Sequence, residues 1–300
     1  MLALRHTPLL AFAVGTLGIA LFSAMDAVMK GLVLAIGVYA TMLWRSFASV
    51  GLAGLLYLPR RRSWPEKAVL RLHLARGLLS TVMGLLFFWG IGRVPLAQAI
   101  ALSFIAPLIA LYLAAVWLGE KVAPRTVAAS ALAFVGVLVI FFGQARADLG
   151  PGALLGSVAI LVSALCYAVN IILMRRQSLA AKPAEIAFFQ NVIGSTALLA
   201  ALPVVGTAIP LAAEWPALLL AALLSTVSML LLSWAYARAE ASYLATTEYT
   251  AFLWAALFGW LVFAEPLSAF TVAGAVLIVA GCILAARRPQ QASPALEAAA

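Results

Sequence analysis

The sequence predicts an all-α polytopic membrane protein: ten transmembrane helices as two inverted five-helix repeats, both termini cytoplasmic. Three observations carry this. Of 300 residues, 66% are apolar and 10% charged, with a mean hydropathy of +1.11; a soluble domain carries about 25% charged residues. The apolar residues fall in nearly continuous runs of about 20, the length that crosses a bilayer as a helix. They do not alternate with polar ones, as the strands of a membrane barrel would. Finally, the chain repeats itself: Leu78–Arg93 (LLSTVMGLLFFWGIGR) matches Leu223–Arg238 (LLSTVSMLLLSWAYAR) at nine of sixteen positions, 145 residues on and without a gap.

In order, the predicted spans are helix 1, Pro8–Met29; helix 2, Gly37–Leu58; helix 3, Leu72–Gly92; helix 4, Pro95–Leu118; and helix 5, Pro124–Phe142. The second set is helix 6, Pro151–Met174; helix 7, Ala184–Leu202; helix 8, Pro216–Ala237; helix 9, Ala241–Phe263; and helix 10, Leu267–Ala286. Proline opens five of the ten, at a position where its missing N–H removes no helical hydrogen bond. Arg5 and His6 ahead of an apolar run imitate a signal peptide, but the run is too long for one, so helix 1 is kept as a retained span. The repeats are residues 8–142 and 149–288, and the polar stretch 289–300 reads as a disordered tail.

Lysine and arginine set the orientation. With the N-terminus inside, fifteen of the nineteen fall on the cytoplasmic side, Arg76 among them. Lys30, Arg93 and Arg146 fall outside, and Arg45 lies within a span. The net charge of +9 is therefore a topology signal, with anionic-lipid contact as a second use, and not a nucleic-acid footprint. Cys166 and Cys282 sit in apolar helices and form neither a disulfide framework nor a metal-binding pattern. There is no G-x-x-x-x-G-K-[ST] loop and no H-E-x-x-H, so neither nucleotide hydrolysis nor another enzyme activity, nor any cofactor, is expected.

An odd number of helices per repeat makes the second copy run in the opposite sense across the membrane. Inverted repeats of this kind recur in secondary transporters, where substrate binds between them near the midplane. Further pairs fall at the same offset: Glu120 with Glu265, Thr126–Ala128 with Thr271–Ala273, and Gly136 with Gly281.

A Glu closing the fourth helix of each repeat (Glu120, Glu265), a short loop and a Gly-containing fifth helix (Gly136, Gly281) resemble the drug/metabolite transporter superfamily, EamA type. Trp44-Arg45-Ser46-Phe47 is similar to that family's Arg-Phe position in helix 2. The overall texture resembles the bacterial aromatic amino acid exporter branch. The resemblance spans about Pro8 to Arg288, and implies a central cavity lined by helices 1, 3, 4, 6, 8 and 9, with helices 5 and 10 peripheral.

Charges inside the hydrocarbon are costly and mark functional candidates. Glu248, the deepest acid, shares its helical face with Ala251, Ala255 and Gly259, small residues that admit a neighbouring helix. It either holds a substrate ammonium or a proton, or pairs with Arg45 and only joins helices. Asp26 and Lys30, four apart near the outer end of helix 1, are spaced for an ion pair and for a gate at the cavity mouth. Arg45, with Thr41, Ala48 and Ser49 around it, faces inward, with structural pairing as its first reading. Ser80 and Ser225 are repeat mates, as are Gln98 and Tyr243; Thr247 adjoins Glu248, and helix 6 adds Tyr167 and Asn170. These form the candidate substrate-binding set, although intramembrane hydroxyls also join helices. Glu120 and Glu265 are expected as caps. Trp89, Trp215, Trp234 and Trp260 suit the interfacial belt, whereas Trp44, Trp117 and Trp254 remain open as cavity walls.

A slot with one acid, a few hydroxyls and apolar walls suits a small zwitterion or cation. A phosphate site would want several inward Lys or Arg, which the core lacks apart from Arg45. The sequence thus points to a multi-pass secondary transporter of the bacterial inner membrane, exporting amino acids, aromatic and apolar ones included, with broad specificity. Its partners are a small-molecule substrate, membrane lipid, and protons if Glu248 titrates near neutrality; it is a monomer or homodimer. A multidrug or quaternary-cation exporter is the alternative within transport. A non-transporting scaffold using Ala273, Gly274, Ala280 and Gly281 is the alternative outside it.

Overall fold

The computed structural model describes residues 8–60, 64–106, 109, 112–113, 124–146, 152–239, 244, 247 and 250–286. Among them run ten helices: α1 (Pro8–Ile36), α2 (Val38–Tyr57), α3 (Lys67–Ile91), α4 (Leu96–Ser103), α5 (Pro124–Arg146), α6 (Ala153–Ala180), α7 (Pro183–Val205), α8 (Trp215–Tyr236), α9 (Thr250–Phe263) and α10 (Ala269–Ala286). A 3₁₀ turn, Leu58–Arg60, follows α2. Five of them, α1, α3, α6, α7 and α8, are each long and apolar enough to cross a bilayer.

Several helices outrun their apolar cores. Helix α1 does not stop at Lys30 but continues to Ile36; the lysine is buried and held by two acceptors instead of reaching for solvent. What ends α1 is Gly37, whose φ of 82° lies where a side chain would be strained. This one residue connects α1 to α2. Helix α6 likewise carries Arg175 and Arg176 within its last turns.

The larger interfaces among the described residues all join helices of different repeats: α5 with α10, α1 with α8, α3 with α6, α2 with α7, and α4 with α9. Advancing each helix by five positions exchanges α1–α8 with α6–α3 and returns the other three pairs to themselves, so the packing has a pseudo-twofold relation. Two mixed bundles result. One holds α1, α2, α8 and α9; the other holds α6, α7, α3 and α4. Helices α5 and α10 pair with each other at the side, where a Cβ on Gly136 would stand 2.6 Å from the Gly274 carbonyl oxygen and one on Gly274 equally close to that of Gly136. Bare backbone at this crossing is what lets the helices touch. The partner of Gly136 is thus Gly274, not its sequence mate Gly281.

The repeat also reappears in local chemistry. At the end of α3, Arg93 donates to the Trp89 carbonyl and lies over the Trp89 ring, 3.6 Å from its centroid. At the end of α8, Arg238 does the same to Trp234, at 4.1 Å.

Candidate functional site

Between the two bundles lies a cavity of about 140 Å³. Helices α1, α2 and α8 line one side and α3, α6 and α7 the other. The described parts of α4 and α9 do not reach it; α2 and α7, which the family resemblance did not imply, do. A larger cleft of about 490 Å³ opens between α1, α8 and α9, but Glu214 is the one charged group on its Ala, Val, Leu and Phe walls. Those are walls suited to lipid chains, so the chemistry belongs to the smaller cavity.

The cavity is apolar at Phe22, Met25, Met42 and Phe88 and polar at Arg45, Arg76, Ser80, Tyr167, Asn170, Gln190 and Ser225. Five predicted site residues are thereby brought together: Arg45, Ser80, Tyr167, Asn170 and Ser225. Ser80 donates to the Asn170 Oδ1 at 3.1 Å across α3 and α6, and the Ser225 and Ser49 hydroxyls are 3.4 Å apart across α8 and α2.

Three predicted residues lie elsewhere. Gln98 is buried in the α4–α6 contact, its Nε2 3.4 Å from the Ser157 Oγ. The Thr247 hydroxyl is turned back onto its own backbone, donating to the Leu244 carbonyl at 2.7 Å. Asp26 is 2% exposed, and its Oδ1 has no hydrogen-bond partner. Glu248 and Tyr243 lie outside the described residues, as do Glu120 and Trp117. Trp44 does not wall the cavity; its Nε1 donates to the Ala208 carbonyl at 3.0 Å and its ring packs on the edge of Trp215.

The expected Asp26–Lys30 ion pair is not formed. Lys30 reaches instead to Glu265, which follows α9, and donates at 2.7 Å to the carbonyl of Val94 in the α3–α4 connection. Glu265 uses its second oxygen, Oε2, to accept the Leu96 backbone N–H at 2.8 Å, filling one of the open donors that begin any helix. A carboxylate there also meets the positive end of the α4 dipole. This long-range arrangement offers Lys30 two acceptors and a helix terminus, more than an acid one turn away provides. Lys30 and Glu265 belong to one bundle, Val94 and Leu96 to the other, so the group is a clasp between bundles.

At the far end of α6 stands its repeat counterpart. Arg175 Nη1 donates to the carbonyl oxygens of Tyr236 and Ala239 in the α8–α9 connection, the latter at 3.1 Å. This too joins one bundle to the other.

Arg76, counted from the sequence only as a residue of the cytoplasmic side, is 1% exposed and lines the cavity. Burial is affordable because neighbours satisfy part of the guanidinium. Its Nη1 donates to Gln177 Oε1 at 2.8 Å and Gln190 Oε1 at 3.2 Å. Gln177 in turn places its Nε2 2.6 Å from His73 Nδ1, and His73 Nε2 lies 3.1 Å from Glu185 Oε1. Phe189 stacks on the imidazole, 4.7 Å between centroids. The only assignment consistent along this chain has neutral His73 accepting from Gln177 and donating to Glu185. The sequence held a signal for it: His73, Arg76 and Ser80 are spaced three and four apart and so share one face of α3.

The sequence model of the EamA-like transporter family matches residues 9–142 and 154–287. The pseudopaline exporter CntI of Pseudomonas aeruginosa is 29% identical over 272 residues, covering 89% of this chain and 92% of that protein. A riboflavin transporter of Rhizobium johnstonii is 31% identical over 221 residues, 72% of this chain and 70% of that one. A solved crystal structure covers 93% of this chain and 99% of its own at 20% identity with a TM-score of 0.65, a likeness of fold. Neither named relative is an aromatic amino acid exporter. Family, relatives and apolar helices together make this a multi-pass transporter of the cell membrane: the chain belongs to the EamA-like transporter family.

Proposed function

We propose that the protein exports small metabolites across the bacterial inner membrane, amino acids with apolar or aromatic side chains among them, by alternating access. The observation that carries this is a small cavity with apolar walls and a polar side between two bundles that are clasped at opposite ends by repeat-related contacts. Orientation by the positive-inside rule puts Lys30, Val94 and Glu265 outside and Arg175 and Ala239 inside. In this reading, a form with both clasps made is closed at both mouths. Releasing one or the other exposes the cavity to one side at a time, as alternation requires. The bodies that rock are then the mixed bundles, not the two repeats as they follow each other in sequence.

The walls support the size and class of cargo. Phe22 and Phe88 suit an apolar side chain, while Ser80, Asn170 and Gln190 suit the polar end of an amino acid. Among the described lining residues both charged side chains are guanidiniums, which weighs against organic cations as cargo. Glu248 is proposed as the proton-coupling acid.

The test is uptake by purified protein in liposomes, with labelled amino acids and one cationic dye, with and without a pH gradient. Saturable amino-acid flux that the gradient drives in wild type, but that only exchanges in Glu248→Gln, is expected. Dye flux without amino-acid flux would replace the cargo reading, and silence on both would overturn transport.

A further inference from the structure

Arg76 is one of two guanidiniums that line the cavity. A buried guanidinium without a counter-ion is unfavourable, and among the described residues no carboxylate lies within ion-pair distance of it. Arg45, the other cavity guanidinium, has Asp26 in its vicinity, but the two form no ion pair, and the Arg45 Nε is also without a partner among the described residues. Arg76 has the amide oxygens of Gln177 and Gln190, both on the same nitrogen, Nη1, with Tyr167 and Tyr236 as further polar neighbours. Among the described residues its Nη2 meets nothing stronger than the Met229 sulfur at 3.8 Å, and its Nε has no hydrogen-bond partner. The open donors are therefore not scattered. They form one edge of the guanidinium, Nε–H beside Nη2–H, and two parallel N–H groups of that kind match the two oxygens of a carboxylate. The amide chain through Gln177 and His73 to Glu185 fixes the opposite corner, holding the fork in one orientation before any ligand arrives.

From this geometry we infer that Arg76 is the docking group for a carboxylate of the transported molecule, and that the cargo class is organic carboxylates in which an ammonium is dispensable. The inference rests on the transport reading above and narrows it. Phe22 and Phe88 take the apolar body, Arg76 takes the acid, and the described lining supplies no carboxylate to demand an amine. Both charged side chains of the described lining are guanidiniums, which favours a carboxylate over a cation.

The experiment uses three probes of one shape: phenylalanine, 3-phenylpropionate, which lacks the amine, and phenethylamine, which lacks the acid. Each is added to the purified full-length protein and thermal unfolding is followed; flux of each is measured in liposomes against protein-free controls. Both carboxylates are expected to raise the melting temperature and phenethylamine to leave it unmoved. Arg76→Gln should weaken the response to 3-phenylpropionate at least tenfold, and Arg76→Lys, which keeps the charge but loses the fork, should fall between. In liposomes the same variants should raise KM more than they lower kcat, which a purely structural arginine would not do. Stabilisation by phenethylamine equal to that by the acids, or by none of the three, overturns the assignment, and the wild-type comparison decides this even where a variant fails to fold. Carboxylate binding without flux would overturn transport and leave the docking role standing, whereas amine flux without carboxylate binding would do the reverse.

Discussion

Lys30 and Arg175 stand 145 positions apart, and each donates to the carbonyl of the residue 64 further along, Val94 at 2.7 Å and Ala239 at 3.1 Å. One contact is made from α1 to the α3–α4 connection, the other from α6 to the α8–α9 connection. The same bond is thus made twice, at the two ends of an inverted molecule, and each time it crosses from one bundle to the other.

The first clasp contains a partly buried ion pair, Lys30 being buried and Glu265 19% exposed, and breaking a fully buried pair by removing one partner costs about 3–5 kcal/mol, an upper bound here. Lys30→Ala and Glu265→Ala are each expected to lower the melting temperature and to leave the outer mouth open to a thiol reagent at a cysteine placed on Phe88. The swapped double variant Lys30→Glu/Glu265→Lys should recover part of the stability, though not the bond to Val94. A double variant no more stable than the worse single one would count against the pair.

At the α5–α10 crossing, Gly274→Val places atoms where the Gly136 carbonyl and the Ile140 side chain already stand. Overpacking of this kind costs about 1–3 kcal/mol. The site is remote from the cavity, so transport per folded molecule should be unchanged while yield and melting temperature fall. Normal melting of Gly274→Val would show that the helices do not cross there.

Gly37 and Gly31 give a matched comparison, because an added Cβ meets nothing within 4 Å at either. Only Gly37 has positive φ. Gly37→Ala is expected to cost about 1–3 kcal/mol, the strain of a side chain in a sparsely populated backbone region, while Gly31→Ala should be neutral or slightly stabilising as alanine favours helix. Equal melting curves for the two would falsify the backbone explanation.

The helices were readable from the sequence because each is an apolar run that water cannot hold, and the repeat because residues such as Trp89 and Arg93 recur with Trp234 and Arg238. Side-chain partnership was less readable. The spacing of Asp26 and Lys30 obeys a rule about isolated helices, and a partner 235 residues away prevailed over it. Arg76 was counted only as one of the basic residues on the cytoplasmic side; that it is buried depends on Gln177 and Gln190, which lie on two other helices and make burial tolerable. Glu265 was correctly expected as a cap, but the helix it caps is α4, in the other repeat. Gln98 was grouped with the substrate set through its repeat mate Tyr243, and a position shared by two repeats says nothing about which neighbour fills it.

The interleaving of the two repeats also bears on ancestry. Since the larger interfaces join helices of different repeats, a lone five-helix unit would expose to lipid the surfaces it uses for cohesion and would find its complement only on a copy inserted the other way up. The single gene therefore encodes, in one reading frame, what reads physically as an antiparallel pair. Cut between α5 and α6 and expressed as two polypeptides, the halves should find each other and restore export, while either half alone should be degraded.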